Sequence, residues 1–201
     1  MQLYFSPTSP YVRKVSVLLR ETGQMEDVEH LAIQTTALNT DADLKTANPL
    51  GKIPALTRPD APTLYDSRVI CRFLDARAEA GLYPEERIWD TLTLEATGDG
   101  IMDCAVSMAY EVKLRPEELV FDDWLTSQWA KIERALDALN NRWMSHLYGP
   151  LDIGHISVGC ALGYLDLRHD ARNWRAGRDA LAAWEKSFRE RPSMAETVPV
   201  A

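Results

Sequence analysis

Apolar positions in the first eighty residues alternate between short runs and helical spacing, and beyond residue 88 helical spacing takes over. Leu3-Tyr4-Phe5 is a short aromatic and apolar run suited to a buried strand. Pro7 and Pro10 punctuate the turn after it, and Pro10 suits a first helical position, where a missing N–H costs nothing. Val12, Val15, Leu18 and Leu19 then recur at helical spacing, with Gly23 just past the predicted helix end. Val28–Ile33 alternates polar and apolar from residue 29 and predicts a second strand. Residues 35–47 are mainly polar, with Leu44 as an apolar anchor, and predict a loop and a short helix. Ala55-Leu56-Thr57 predicts a third strand ended by Pro59, and Thr63-Leu64-Tyr65 a fourth. Asp66-Ser67 opens a helix carrying Val69, Ile70, Phe73 and Leu74, two adjacent apolar pairs four apart. The order βαβ, loop, ββα implies a mixed sheet, because the hairpin adds antiparallel strands to a parallel pair.

Gly81 to Glu86, with Pro84, reads as a linker. Ile88 to Leu114 predicts one long helix, with Gly98 and Gly100 as a thin or bent spot. Glu117 to Leu147 predicts another, in which Leu125, Trp129, Ile132, Leu136, Leu139 and Trp143 repeat at steps of four and three. Gly149-Pro150 breaks the chain, and Asp152 caps a helix with Ile153, Ile156, Cys160, Tyr164 and Leu167 on one face. Leu181, Trp184 and Phe188 mark a final helix, and the tail from Pro192 is expected to be loosely held. The expected division is a mixed α/β domain at 1–80, a linker at 81–87 and an all-helical domain at 88–201.

The length of 201 residues is enough for a real core. A net charge of −8 argues against a nucleic-acid binder, which needs a basic face. No apolar run approaches the roughly 20 residues that span a bilayer, and the N-terminus lacks the pattern of a signal peptide. Cys71, Cys104 and Cys160 are widely spaced, with no Cys-x-x-Cys pair and no zinc-like cluster. They read as buried thiols in a reducing cytoplasm, with no metal expected.

Ser9 places a hydroxyl at the positive end of the first helix, where unpaired N–H groups favour an anion. Taken alone it reads as an ordinary N-cap. Ser9-Pro10-Tyr11 looks like the Cys-Pro-Tyr turn of glutaredoxins with Ser replacing the thiol. Ser-Pro-aromatic followed by Arg13 resembles the active-site turn of serine-type glutathione transferases. Asn48-Pro49-Leu50-Gly51-Lys52-Ile53-Pro54 resembles that family's Asn-Pro-x-Gly-x-Val/Ile-Pro loop, and Asp66-Ser67 its Glu/Asp-Ser pair. The chain also resembles the bacterial YibF-type glutathione transferase-like proteins. These share the Thr-Ser-Pro-aromatic-Val-Arg-Lys turn, a run like Asp99-Gly100-Ile101-Met102-Asp103, and one like Gly163-Tyr164-Leu165 before a basic pair. One departure stands out. The family places Ser or Thr, then Asp three residues later, after the Gly-Pro break, whereas this chain has Asp152 and His155.

The resemblance implies a thioredoxin-like βαβαββα domain followed by an all-α domain. It implies glutathione as co-substrate, a homodimer, a cytoplasmic location and a role in detoxification. On that reading Ser9 is the catalytic hydroxyl, donating to the ligand's thiolate, and Arg13 stands behind it. Asp66 receives the ligand's α-ammonium, Ser67 binds the α-carboxylate, Ile53 before Pro54 pairs its backbone with the cysteinyl backbone, and Lys52 meets the glycyl carboxylate. The family holds the equivalent proline cis. A pocket for small apolar electrophiles is expected between the domains, with Met108 and Tyr110 as candidates, while Tyr11 reads as simple packing. Glutathione-dependent peroxide reduction needs only the same thiolate. A disulfide or dehydroascorbate reductase would need a cysteine where Ser9 stands. A glutathione-binding or regulatory protein with little turnover is the alternative, because fold alone does not settle function. His30, His146, His155 and His169 carry no hydrolase context.

Overall fold

The computed structural model describes residues 1–199. In chain order the elements are β1 (Gln2–Phe5), α1 (Pro10–Glu21), β2 (Glu29–Ala32), α2 (Ala42–Ala47), β3 (Ala55–Arg58), β4 (Ala61–Leu64) and α3 (Ser67–Ala78). The helical part follows as α4 (Ile88–Leu114), α5 (Asp122–Arg142), α6 (Met144–Leu147), α7 (Ile153–His169), α8 (Asp179–Phe188) and α9 (Pro192–Ala195). The strands form one mixed sheet in the order β2-β1-β3-β4, with β1 parallel to β2 and antiparallel to β3. Parallel β1 and β2 need the α1 crossover, whereas antiparallel β3 and β4 need only a tight turn.

Helix α1 joins the two halves. Val15, Val17, Leu18 and Leu19 are fully buried, and the helix packs on α3 from one side and α7 from the other. Helices α4 and α7 form the spine of the helical half. Gly98 permits their contact: a Cβ there would lie 2.5 Å from Ser157 Oγ and 2.7 Å from the Ser157 carbonyl carbon. α4 runs as one helix from Ile88 to Leu114 through Gly98 and Gly100. Close approach of a second backbone, not flexibility, accounts for Gly98.

Four expectations are corrected. Val69 is exposed, and α3 buries Ile70, Cys71 and Leu74 instead, because its inner stripe falls one residue later than the apolar pairs suggest. The helix expected from Glu117 starts at Asp122 and is interrupted at Trp143, although its stripe from Leu125 to Leu139 is buried as expected. Cys104 is only half-buried, unlike Cys71 and Cys160. The tail is not loose: Ser193 and Met194 are buried, α9 packs on α1, and Arg191 pairs with Glu21 at 2.8 Å.

The unusual cap of α7 closes through a rebuilt network. Asp152 Oδ1 accepts from the N–H of Gly154 at 3.0 Å and from His155 Nδ1 at 2.8 Å. Asp152 Oδ2 also accepts from Thr91 Oγ1 at 3.0 Å and faces His146 Nε2 at 2.7 Å. Burial works against the Asp152 charge, but the bonds to His155 and His146 outweigh it and bring its pKa down to about 2.

Candidate active site

The strand register gathers the predicted site residues at one end of the sheet. Tyr4 on β1 pairs with Ala55 on β3, and Leu56 pairs with Leu64 on β4. The turn leaving β1 carries Ser9, the loop entering β3 carries Ile53 and Pro54, and the turn leaving β4 carries Asp66 and Ser67. All three segments therefore emerge side by side.

Ser9 caps α1 with extended backbone, and its Oγ accepts the Val12 N–H at 3.3 Å. The hydroxyl thus uses a lone pair in the cap, which leaves its proton free to donate. The capping reading and the anion-donor reading are compatible in one side chain. The loop before β3 is held from inside by Asn48, which is almost fully buried. Asn48 Nδ2 donates to the Lys52 carbonyl at 2.7 Å, and its Oδ1 accepts from the Leu50 N–H at 3.0 Å. Gly51 makes the turn at φ +62°, the left-handed region that favours glycine. The Ile53–Pro54 peptide is cis. The Lys52 side chain is exposed, Ile53 half-buried and Pro54 buried. Asp66 is exposed and caps α3 through the Arg68 N–H at 2.9 Å, while Ser67 is buried in the first turn.

Sequence reasoning missed a buried ionic cluster directly behind this site. Lys14 Nζ, fully buried, donates to both Asp99 oxygens at 2.8 and 3.0 Å and to Glu95 Oε1 at 3.1 Å. Arg68, next to Ser67, donates from Nε to Asp99 Oδ2 at 2.7 Å. Ser157 Oγ adds a bond to Asp99 Oδ1 at 3.0 Å, and Tyr83 one to Glu95 Oε1 at 3.2 Å. Burial pushes the Glu95 carboxyl up, while Lys14 pulls it back. The signal was present in the sequence: Glu95, Asp99 and Asp103 recur every four residues in an otherwise mainly apolar helix, which sets three carboxylates on one face.

Asp103 continues that stripe to the site mouth, where Tyr11 donates to its Oδ1 at 2.5 Å. Tyr11 is therefore a polar contact between the halves and not simple packing. Burial first, and then the Asp103 carboxylate, push its phenol pKa far up, so it stays a protonated donor. Met108 is only 2% exposed and belongs to the helical core, so it lines no ligand pocket; Tyr110, two residues on, faces outward at 41%. Their separation on the helix, near 200°, puts them on different faces. Arg13 is 7% exposed and turns to the C-terminal segment, donating from Nη2 to the Met194 carbonyl at 3.1 Å and from Nε to Thr197 Oγ1 at 3.4 Å.

Among the described residues one group, His146, Asp152 and His155, brings metal-type donor atoms within 4.8 Å of one another. Its short contacts are hydrogen bonds that close the α7 cap.

The family model for the glutathione S-transferase N-terminal domain matches residues 8–77, and that for the C-terminal domain matches residues 122–187. The uncharacterized GST-like protein YibF of Escherichia coli K12 is 31% identical over 99% of this chain and 98% of its own length. The chain belongs to the glutathione S-transferase family. Its fold is that of a glutathione S-transferase, a mixed thioredoxin-like sheet domain with a helical domain behind it. A family member from Pseudomonas fluorescens Pf-5, crystallised with bound glutathione, is 46% identical, covers 100% of this chain and 99% of its own, and superposes with a TM-score of 0.97. A second structure from that organism, with bound S-(propanoic acid)-glutathione, is 45% identical over 100% of both chains with a TM-score of 0.93. Among the described residues of this family member, no helix is long and apolar enough to cross a membrane.

Proposed function

We propose that this chain binds glutathione and holds its sulfur as a thiolate for attack on small electrophiles, as a glutathione transferase. The observation that carries this reading is the Ser9 hydroxyl, which caps α1 with a lone pair and keeps its proton free beside the α3 N-terminus. A free thiol has a pKa near 8.5, so little of it is thiolate at neutral pH. Donation from Ser9, with the field of the α1 N-terminus, lowers that value, and each unit amounts to about 1.4 kcal/mol in favour of the anion. The glutathione sulfur is the nucleophile: its lone pair forms the new bond to the electrophilic carbon, and that carbon releases either its leaving group with the bonding pair or the electron pair of its π bond, which then takes up a proton. Ser9 stays a donor throughout.

The remaining roles follow the charges of the ligand. The exposed Asp66 carboxylate accepts the α-ammonium, and Ser67 with the first turn of α3 binds the α-carboxylate. Ile53 pairs its backbone with the cysteinyl unit, and Lys52 meets the glycyl carboxylate. Arg68 and Lys14, fixed on Asp99, keep the back wall of the site charged and rigid. Residues 1–80 form the glutathione-binding unit, 81–87 the link and 88–201 the helical unit. The protein works as a cytoplasmic homodimer in detoxification. Glutathione-bound structures of relatives support the ligand assignment.

Calorimetric titration with reduced glutathione and S-hexylglutathione tests the site. Binding of both is expected. Ultraviolet titration of the bound thiol then tests Ser9: Ser9→Ala is expected to bind glutathione but with a higher thiol pKa. An unchanged titration removes Ser9 from the mechanism, and binding of neither ligand overturns the proposal.

A further inference from the structure

We infer that the Tyr11–Asp103 hydrogen bond is a positioning contact for thiolate formation: it registers the first turn of α1, and with it Ser9, against α4 in the helical half of the chain. This rests on the glutathione reading above and deepens it, because the acidity of the bound thiol then depends on both halves. Tyr11 and Asp103 act through Ser9 and are positioning residues, not catalytic ones.

Helix α1 packs chiefly on α3 and α7. Among the described residues, its hydrogen bonds to α4 come from two side chains, Tyr11 and Lys14, which stand three apart and share a helical face. Their acceptors Asp103 and Asp99 stand four apart on α4 and share a face as well. Tyr11 meets Asp103 and Lys14 meets Asp99, so the two chain directions are opposed across the contact and the bonds lie about one turn apart. One bond at Lys14 is a pivot. A second bond, one turn nearer to Ser9, stops the start of the helix from rolling or sliding about that pivot.

The start of α1 depends on that second bond. The middle of the helix is fixed by the fully buried Val15, Val17, Leu18 and Leu19. The turn before it is half-exposed, and among the described residues every hydrogen bond of residues 6–9 stays within residues 6–13. The Ser9 cap bond to the Val12 N–H is long, at 3.3 Å. Tyr11 therefore carries the hydrogen bond that leaves this segment for the rest of the molecule. At 2.5 Å to a carboxylate it belongs to the short, charge-assisted class. The phenol stays protonated, so the donor is constant through the range in which a thiol titrates. A donor stabilises a developing anion only when it already points at the place the charge will occupy, and a small misplacement forfeits much of the gain.

Asp103 is exposed, so solvent screens its charge at a distance and its influence passes mainly through the bond. Among the described residues, the other ionisable groups around the pair are Arg68 on α3, Asp99 and Cys104 on α4, and Tyr164 on α7. Arg68 is held by Asp99 at 2.7 Å and does not compete for Tyr11.

The test is ultraviolet titration of the thiol of reduced glutathione bound to the full chain, in wild type, Tyr11→Phe, Asp103→Leu and Asp103→Asn. Phe removes the donor, Leu removes the acceptor, and Asn keeps an acceptor carbonyl while removing the charge. Tyr11→Phe and Asp103→Leu are each expected to raise the bound thiol's pKa by about half a unit, which lowers the thiolate-to-thiol ratio about threefold. The double variant is expected to go no further than either single one, because both act through one bond. Asp103→Asn is expected to stay near wild type. Glutathione affinity measured by calorimetry below the bound thiol's pKa is expected to be unchanged throughout, since Asp66 and Ser67 are untouched. A fall in the thiol pKa in both Asp103 variants makes Asp103 a through-space charge and overturns the positioning role. A rise in Tyr11→Phe that Asp103→Leu does not share makes Tyr11 a direct donor to sulfur and overturns it too. Identical titrations in all four proteins overturn this inference and leave the Ser9 reading standing. A wild-type thiol with its free pKa, or no bound glutathione, overturns both.

Discussion

Replacing Lys14 by Met tests the ionic cluster that joins α1 to α4. Lys14 is fully buried and lies within 3.1 Å of Glu95 and within 2.8 Å of Asp99. Once the ammonium is gone, Asp99 retains Arg68, but Glu95 retains only the Tyr83 hydroxyl. Losing one partner of a buried pair costs about 3–5 kcal/mol when the other charge stays. Glu95 has an escape, because it can take up a proton. From an ordinary carboxyl pKa near 4.3, protonation at pH 7 costs about 3.7 kcal/mol, which sets the ceiling on the loss. The sign follows directly. In the variant the folded-state pKa of Glu95 rises above the unfolded value, so stability is retained at low pH and lost as pH rises. Between pH 5 and pH 7 the gap from wild type should widen by up to about 2.7 kcal/mol. Urea unfolding at the two pH values measures it, with an unchanged slope confirming that the same surface unfolds. Adding Glu95→Gln to Lys14→Met should remove most of that pH dependence. If the single variant loses the same free energy at both pH values, Glu95 is not the charge that Lys14 balances.

Three other perturbations probe separate links. Gly98→Ala should destabilise by about 1–3 kcal/mol despite better helix propensity, because its Cβ would meet Ser157 at 2.5 Å; thermal unfolding showing a gain would contradict the α4–α7 approach. The Asp152 carboxyl, lowered to about 2, adds stability that is present above its ordinary pKa and is lost as pH falls toward 2. Asp152→Asn should therefore be less stable than wild type at pH 6, with the difference shrinking by roughly 2 kcal/mol on acidification; a constant difference argues against the rebuilt cap. Asp66→Ala should weaken glutathione binding itself in calorimetry, and full affinity in that variant would refute the assignment of Asp66 to the ligand's ammonium.

The sequence by itself determined the element order, the sheet class and the turn that carries Ser9. Those features rest on local causes: apolar period, proline and glycine at turns, and a hydroxyl residue before a helix. The Asn48–Pro54 loop and the Asp66-Ser67 pair were legible for the same reason, since each is a contiguous string whose geometry is set within a few residues. The tertiary structure decided what depends on partners distant in the chain. Lys14 looks like a solvated cation beside Arg13 until α4 brings two carboxylates over it from 81 and 85 residues away. Met108 has the composition of a pocket residue, but helix phase turns it into the core. Arg13 lies one turn past Ser9 in sequence, yet the bonds that fix it come from Met194 and Thr197, more than 180 residues on. The tail reads as polar and short, and its order comes from packing on α1. Side-chain charge is a property of the whole packed neighbourhood, and no local window of the chain contains it.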